Sequence, residues 1–251
     1  MVAALKKVRN NQLIKMKKLF FFIGVLLLAF SMQAQKTIKD ANAELREAKN
    51  FHSITISDAF DVFLTQDNEE AVAVSANETR YRELITVEVK NGVLHVGLKK
   101  EGLRWMRGNK QLKAYISFRK LDKLDVRGAS DIYIQGTMKA EDLKLNISGA
   151  SNLKGRIESS NLVVDLSGAS DITVTGHASK LDLEVSGASK FKGNNFSTDF
   201  CSAKASGASD ILLTVNKEVK ANANGASAVK IKGDGVITEL RAGGASKVTK
   251  I

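Results

Sequence analysis

The chain has 251 residues, of which 43% are apolar, so it is long enough for one large domain or two small ones with a sizeable core. It contains no proline, one cysteine and three histidines, whereas glycine occurs 19 times. An internal disulfide framework and a dense histidine metal site are therefore excluded. Tight corners must be made by glycine and small polar residues.

The N-terminal residues have the three-part layout of a secretory signal peptide. A basic start at 16–18 is followed by twelve apolar residues, 19–30, and by a small polar stretch that ends near Ala34. Because a membrane-spanning helix needs roughly 20 residues, we expect cleavage near Ala34, with an uncleaved anchor as the alternative. Residues 1–34 are thus interpreted as leader and signal peptide, with Met16 as an alternative translation start. The predicted location is the periplasm or the cell surface.

Much of the positive charge lies in this leader. The formal net charge is +11 at pH 7 for the whole chain and +5 once residues 1–34 are removed, since they hold six cations and no acid. The remainder shows no basic helix and no aromatic stacking motif, so nucleic acid is not a predicted partner. No transmembrane segment is predicted in the mature chain.

The tripeptide Gly-Ala-Ser organises the second half of the chain. It recurs at intervals of 18 to 21 residues, with glycines at Gly128, Gly149, Gly168, Gly187, Gly207, Gly225 and Gly244. Apolar residues alternate with polar ones before each glycine, and an apolar residue follows four positions after it, so strands flank every corner. An antiparallel sandwich would also alternate, but identical corners at near-equal spacing favour stacked coils. We predict an all-β parallel β-solenoid over residues 128–251, with coils of about 19 residues and the seven glycines stacked in one column at positive φ.

The chain before the repeat is less regular. Short apolar strands between residues 51 and 127, with Asn91-Gly92 as a hairpin signal, are interpreted as divergent coils and a capping element for the end of the solenoid. Residues 35–50 are interpreted as a linker or a short helix, the helix lying at 41–49.

Several features together resemble the "head GIN" putative auto-transporter adhesin family of secreted bacterial proteins. They are the signal peptide, the sequence Asp58-Ala59-Phe60-Asp61-Val62-Phe63-Leu64, the strand Val93-Leu94-His95-Val96 and the serial Ser-Gly-Ala-Ser units. The resemblance spans roughly residues 50–251. It implies a right-handed parallel β-helix and an adhesin-like or envelope-associated role, and it supplies no catalytic residue.

An enzyme is the alternative to a binding module, because right-handed β-helices include polysaccharide lyases and hydrolases. The column of residues after the corner serines mixes charge signs and shows no obvious catalytic carboxylate pair. Its members are Asp131, Asn152, Asp171, Lys190, Asp210, Ala228 and Lys247. We interpret their alternating charges as favouring coil stacking. Cys201 lies in an inward-facing register, so we expect a core residue rather than a reactive thiol.

One basic segment, residues 99–110, stands apart from the repeat. It contains five cations and the only tryptophan of the chain. Arg104, Trp105 and Arg107 are candidate binding residues for an anionic glycan or phosphate, because arginine offers forked donors and tryptophan a stacking face. The alternative is a solvated loop whose tryptophan caps the core.

The predicted function is a non-enzymatic, adhesin-like or cell-envelope binding and spacer module, with a carbohydrate-active β-helix enzyme as the alternative. A glycan or another envelope component is the predicted partner. No cofactor, no metal and no particular oligomeric state are predicted.

Overall fold

Strands make up almost all of the described structure. The computed structural model describes residues 40–99 and 110–251. The elements in these ranges are β1 (Glu44–Arg46), β2 (Ser53–Ile56), β3 (Asp61–Gln66), β4 (Ala71–Ser75), α1 (Thr79–Arg82), β5 (Ile85–Lys90), β6 (Val93–Leu98), β7 (Lys113–Phe118), β8 (Lys123–Val126), β9 (Asp131–Ile147), β10 (Asn152–Leu166), β11 (Asp171–Val185), β12 (Lys190–Ala205), β13 (Asp210–Ala223), β14 (Ala228–Lys232), β15 (Val236–Ala242) and β16 (Lys247–Lys250).

Each of the strands β9 to β13 is one coil that runs from one Gly-Ala-Ser corner to the next. Neighbouring coils pair in parallel and in register, so that Leu153 of β10 lies opposite Ile132 of β9 and Ile172 of β11. These apolar side chains fill the interior and are 0 to 1% exposed. The predicted parallel β-solenoid with coils of about 19 residues is confirmed.

The corner glycines form the predicted column, and two independent constraints require glycine there. All seven have positive φ, from 67° to 112°, a region that residues with a Cβ rarely adopt. A Cβ on Gly168 would also lie 2.4 Å from the carbonyl oxygen of Gly149 in the preceding coil. The coils approach this closely because each corner alanine N–H donates to that carbonyl, as Ala169 does to Gly149 at 2.8 Å.

The corner serines are buried and link successive coils. The Oγ of Ser170 accepts a hydrogen bond from the backbone N–H of Ser151 at 3.2 Å, and the Oγ of Ser189 accepts one from Ser170 at the same distance. Ser151, Ser170 and Ser189 are 0% exposed. The buried hydroxyl at each of these corners therefore satisfies a buried backbone donor of the neighbouring coil.

The first coils do not stack in the order in which they occur in the sequence. β2 and β3 form a coil directly on β8 and β9, whereas β6 and β7, which follow later in the chain, form the next coil outward. Between β2 and β3, Asp58-Ala59-Phe60 replaces Gly-Ala-Ser. The Ala129 N–H donates to the Asp58 carbonyl at 2.8 Å, and Asp58 has a φ of 72°. The corner column therefore begins one coil before the first tripeptide.

Three antiparallel strands cover the outer edge of this N-terminal end. β5 and β6 form the hairpin predicted at Asn91-Gly92, β4 pairs with β7, and β1 pairs with β4. The short helix expected at 41–49 is wrong, because Glu44–Arg46 is the strand β1. Its backbone pairs with Val72–Val74, and pairing with a sheet edge outweighs local helical propensity.

Cys201 belongs to the core, as expected from its register. It is 6% exposed, and burial, followed by the nearby Asp182, raises the pKa of its thiol to about 12. The thiol is therefore protonated at neutral pH, which makes it unreactive. Among residues 40–99 and 110–251, no helix is long and apolar enough to cross a membrane.

Replacement of Gly168 by valine should destabilise the fold more than replacement of Ser170 by alanine. The valine adds a left-handed φ penalty of about 1–2 kcal/mol and a clash costing about 1–3 kcal/mol. The Ser170→Ala change leaves one buried N–H unpaired, at about 1–3 kcal/mol. Urea denaturation measures both, and the exposed Ala169→Ser is the control, expected within about 0.5 kcal/mol of the parent. Equal losses for the two test variants would contradict the corner geometry.

Candidate functional site

The sequence-predicted binding residues Arg104, Trp105 and Arg107 lie outside the described residues. Leu98 and Lys110, which lie on either side of them in the chain, line an open cleft of about 930 Å³. The cleft lies against two stacked corners, at 58–61 and at 128–129. The structure thus places a cleft at the N-terminal end of the solenoid, where the corner column begins.

Next to the cleft, the column of residues that follow the corner serines extends beyond the first Gly-Ala-Ser corner, into β3 and β7. Asp61 of β3 lies in register between Lys113 of β7 and Asp131 of β9. Asp131 accepts a hydrogen bond from the Asn152 side chain at 2.8 Å. Two aspartates from adjacent coils therefore stand side by side at this end of the column.

Asp61 is in an unfavourable electrostatic environment. Burial, followed by the like charge of Asp131, raises the pKa of Asp61, and Lys113 opposes that shift. The Lys113 ammonium lies 3.7 Å from Asp40, which competes for it. Within the described ranges, no side chain forms a hydrogen bond or an ion pair with the Asp61 carboxylate. Among the described side chains, none therefore competes with a ligand for hydrogen bonds to this carboxylate.

Two residues further along the same strands, three aromatic rings form a row. Phe63 stacks between Tyr115 and Tyr133, with ring centroids 5.1 and 5.4 Å away and interplanar angles of 13° and 19°. All three are half-buried. Because the ring faces meet one another, the ring edges and the tyrosine hydroxyls face outward.

The tyrosine hydroxyls of this row remain protonated at neutral pH. Tyr115 donates a hydrogen bond to Asp40 at 2.8 Å, and burial, followed by this bond, raises its pKa to about 12. Burial, followed by the charge of Asp131, also raises the pKa of Tyr133. The Tyr115 proton is thus used by Asp40, whereas the Tyr133 hydroxyl can donate to a ligand.

A third row, of hydroxyl and amide groups, lies on the other side of the rings. Thr65 is in register with Ser117 and Gln135, and its hydroxyl donates to the Gln135 side chain at 3.2 Å. Ser117 donates to the Glu69 carbonyl at 2.7 Å. We call these three rows together the N-terminal patch: Asp61, Asp131 and Lys113, then Phe63, Tyr115 and Tyr133, then Thr65, Ser117 and Gln135.

The sequence reasoning missed the N-terminal patch, although a signal for it is present. Asp58-Ala59-Phe60-Asp61-Val62-Phe63-Leu64 matches Gly128-Ala129-Ser130-Asp131-Ile132-Tyr133-Ile134 position by position. That match would have placed Asp61 on Asp131 and Phe63 on Tyr133. Tyr115 has no such signal, because no tripeptide corner precedes β7.

Further down, the same column shows the predicted charge alternation. Asp171, Lys190 and Asp210 lie in register, and the Lys190 ammonium is 3.8 Å from Asp210. Asp171 forms its ion pair with Lys192 instead, at 2.6 Å. In the described part of the chain, no group of three or more histidine, cysteine or acidic side chains could hold a metal ion.

The family model described as "Putative auto-transporter adhesin, head GIN domain" matches residues 50–235. A solved structure of a putative adhesin from Bacteroides fragilis is 21% identical, with a TM-score of 0.79, over 85% of this chain and 98% of that chain. A putative lipid binding protein from Parabacteroides distasonis is 21% identical, with a TM-score of 0.62, over 84% of this chain and 98% of that chain. No curated protein matches the chain. At these identities the structural likeness shows the fold alone.

Replacement of Lys190 by glutamate should destabilise the solenoid slightly, because three acids would then follow one another in register. Exposed ion pairs contribute about 0.2–1 kcal/mol each, and salt screens them. We expect a small loss at low salt that shrinks at high salt, measured by thermal unfolding, and a smaller loss for Lys190→Gln. A loss that does not depend on salt would show that packing, not charge, sets the effect.

Proposed function

This chain belongs to the family described as putative auto-transporter adhesin, head GIN domain, and on that premise we propose that it is an exported, non-enzymatic binding module of the cell envelope. The observation that supports this proposal is the N-terminal patch. Register between coils holds aromatic, acidic and hydroxyl side chains in three fixed rows beside an open cleft. A rigid, preformed surface of this kind suits recognition, because little conformational entropy is lost on binding.

Export and envelope location are part of the proposal. They rest on the signal-peptide layout of residues 1–34 and on the auto-transporter adhesin description of the family. The absence of a catalytic role is likewise proposed. It rests on the adhesin descriptions of the family and of similar structures, and on ion pairs between neighbouring coils such as Lys190 with Asp210 and Lys192 with Asp171.

The experiment that tests the proposal measures binding and turnover on the same ligands. The purified protein is applied to an array of neutral and anionic glycans and to phospholipid vesicles, and bound polysaccharides are then checked for shortening. We expect binding to at least one glycan class without shortening. Release of shorter products would support the carbohydrate-active enzyme, and binding to vesicles alone would support a lipid ligand instead.

We further propose that Arg104, Trp105 and Arg107 bind a second ligand, an anionic glycan or phosphate, independently of the N-terminal patch. The double variant Arg104→Gln/Arg107→Gln should weaken binding to anionic glycans about three- to tenfold and reduce its salt dependence, because two forked donors are lost. The control is Lys154→Gln/Lys230→Gln, which removes two exposed cations from the solenoid itself. Equal losses in both variants would show an effect of net charge rather than a binding site.

A further inference from the structure

We propose that the N-terminal patch binds a neutral, hydroxyl-rich oligosaccharide, an inference that deepens the proposed binding function and rests on it. Three observations support this ligand class: a like-charged pair that stacking does not explain, a half-exposed aromatic row, and hydrogen-bonding groups on both sides of that row. Each points to a ligand that combines apolar C–H surface with hydroxyl groups.

The first observation is the pairing of Asp61 with Asp131. Within the described residues of this column, the other close contacts join opposite charges or an amide and a carboxylate, as in Lys190 with Asp210 and Asn152 with Asp131. Asp61 and Asp131 are instead like charges in register, and burial adds to the cost of ionising Asp61. Like charges directly opposite one another destabilise a sheet, and Lys113 on the other side of Asp61 offsets only part of this cost. A hydroxyl-rich ligand would relieve the pair by donating hydrogen bonds to both carboxylates.

The second observation is the apolar centre of the patch. The edges of Phe63, Tyr115 and Tyr133 form a strip across three coils, which is about 10 Å long at the spacing of neighbouring strands. The acidic and hydroxyl rows lie about 7 Å to either side, two residues along each strand. A strip of this size matches one or two sugar rings lying across the coils.

The third observation is the chemistry on the two sides of that strip. Asp61 and Asp131 offer only acceptors, whereas the Gln135 amide also has N–H donors and the Ser117 hydroxyl, which donates to the Glu69 carbonyl, can still accept. Binding sites for small molecules generally combine an apolar lining with a few placed polar groups of this kind. A sugar ring is complementary to both parts, because its C–H groups contact the aromatic edges and its hydroxyls reach the flanking rows.

Other ligand classes fit less well. An anionic group would meet the two carboxylates and be repelled, and Lys113 is already close to Asp40. A divalent metal has no cluster of three suitable side chains in the described ranges. An acyl chain would place apolar surface against the polar rows on each side and leave their groups unsatisfied.

The test compares Asp61→Asn with Asp171→Asn by calorimetric titration with neutral hexose oligosaccharides. Asp61→Asn removes the like-charge repulsion, so its melting temperature should equal or exceed that of the parent, while affinity falls about tenfold or more with the loss of a charged acceptor. Asp171→Asn breaks the ion pair with Lys192 and should bind as the parent does. Tyr133→Phe keeps the ring stack and should also weaken binding, because it removes one outward donor.

Several results would overturn the inference. One is unchanged affinity of the Asp61→Asn protein for neutral oligosaccharides while the parent binds them. That result would leave the proposed binding function intact and place the ligand elsewhere on the molecule. A lowered melting temperature of Asp61→Asn would show that the carboxylate serves folding. Binding of anionic glycans alone, or of no glycan, would overturn the assignment of a neutral ligand. Binding of neither glycans nor vesicles would also contradict the proposed function.

Discussion

The close approach of successive corners is the constraint on which the rest of this structure depends. In every stacked pair the alanine N–H lies 2.7–2.8 Å from the carbonyl of the corner below, and a Cβ at the glycine would come within 2.1–2.9 Å of the same oxygen. This bond fixes each coil on the one before it. The outward side chains therefore form rows. Each coil contributes one side chain to each row, so the chemical character of a row can differ from coil to coil.

The place where this constraint ends is also where the candidate site lies. Asp58 takes the glycine position with a φ of 72° and bears a Cβ there. No Gly-Ala-Ser tripeptide occurs between β6 and β7 in the sequence, so no further corner of that kind follows outward. The Asp58 carboxylate instead accepts the Leu98 N–H at 2.9 Å, and the cleft opens beside it. The departure from the repeat and the cleft thus lie at the same corner.

The repeating half of the fold was predictable from the sequence, whereas its N-terminal end was not. Near-equal spacing of Gly128, Gly149 and Gly168 forces parallel coils, because each corner must turn in the same way. At the other end, β6 and β7 stack outside β2 and β3 although they follow them in the chain, and β1 is a strand where a short helix was expected. Long-range edge pairing decides these positions, and local sequence patterns contain little information about it. The site could be predicted only in part, since the match of Asp58–Leu64 to the first corner locates two rings but not Tyr115.

The stability of a solenoid is close to a sum over coils and their interfaces, so an unfavourable pair at one end costs little elsewhere. The central coils lie in register and bury corner serines that are 0% exposed. Asp61 and Asp131 can therefore remain next to each other, although Asn152 shows that an amide at the same column position relieves a neighbouring carboxylate. An acid at position 61 is therefore expected to cost folding stability that an amide would not. Such a cost is expected where side chains are arranged to meet a ligand rather than one another.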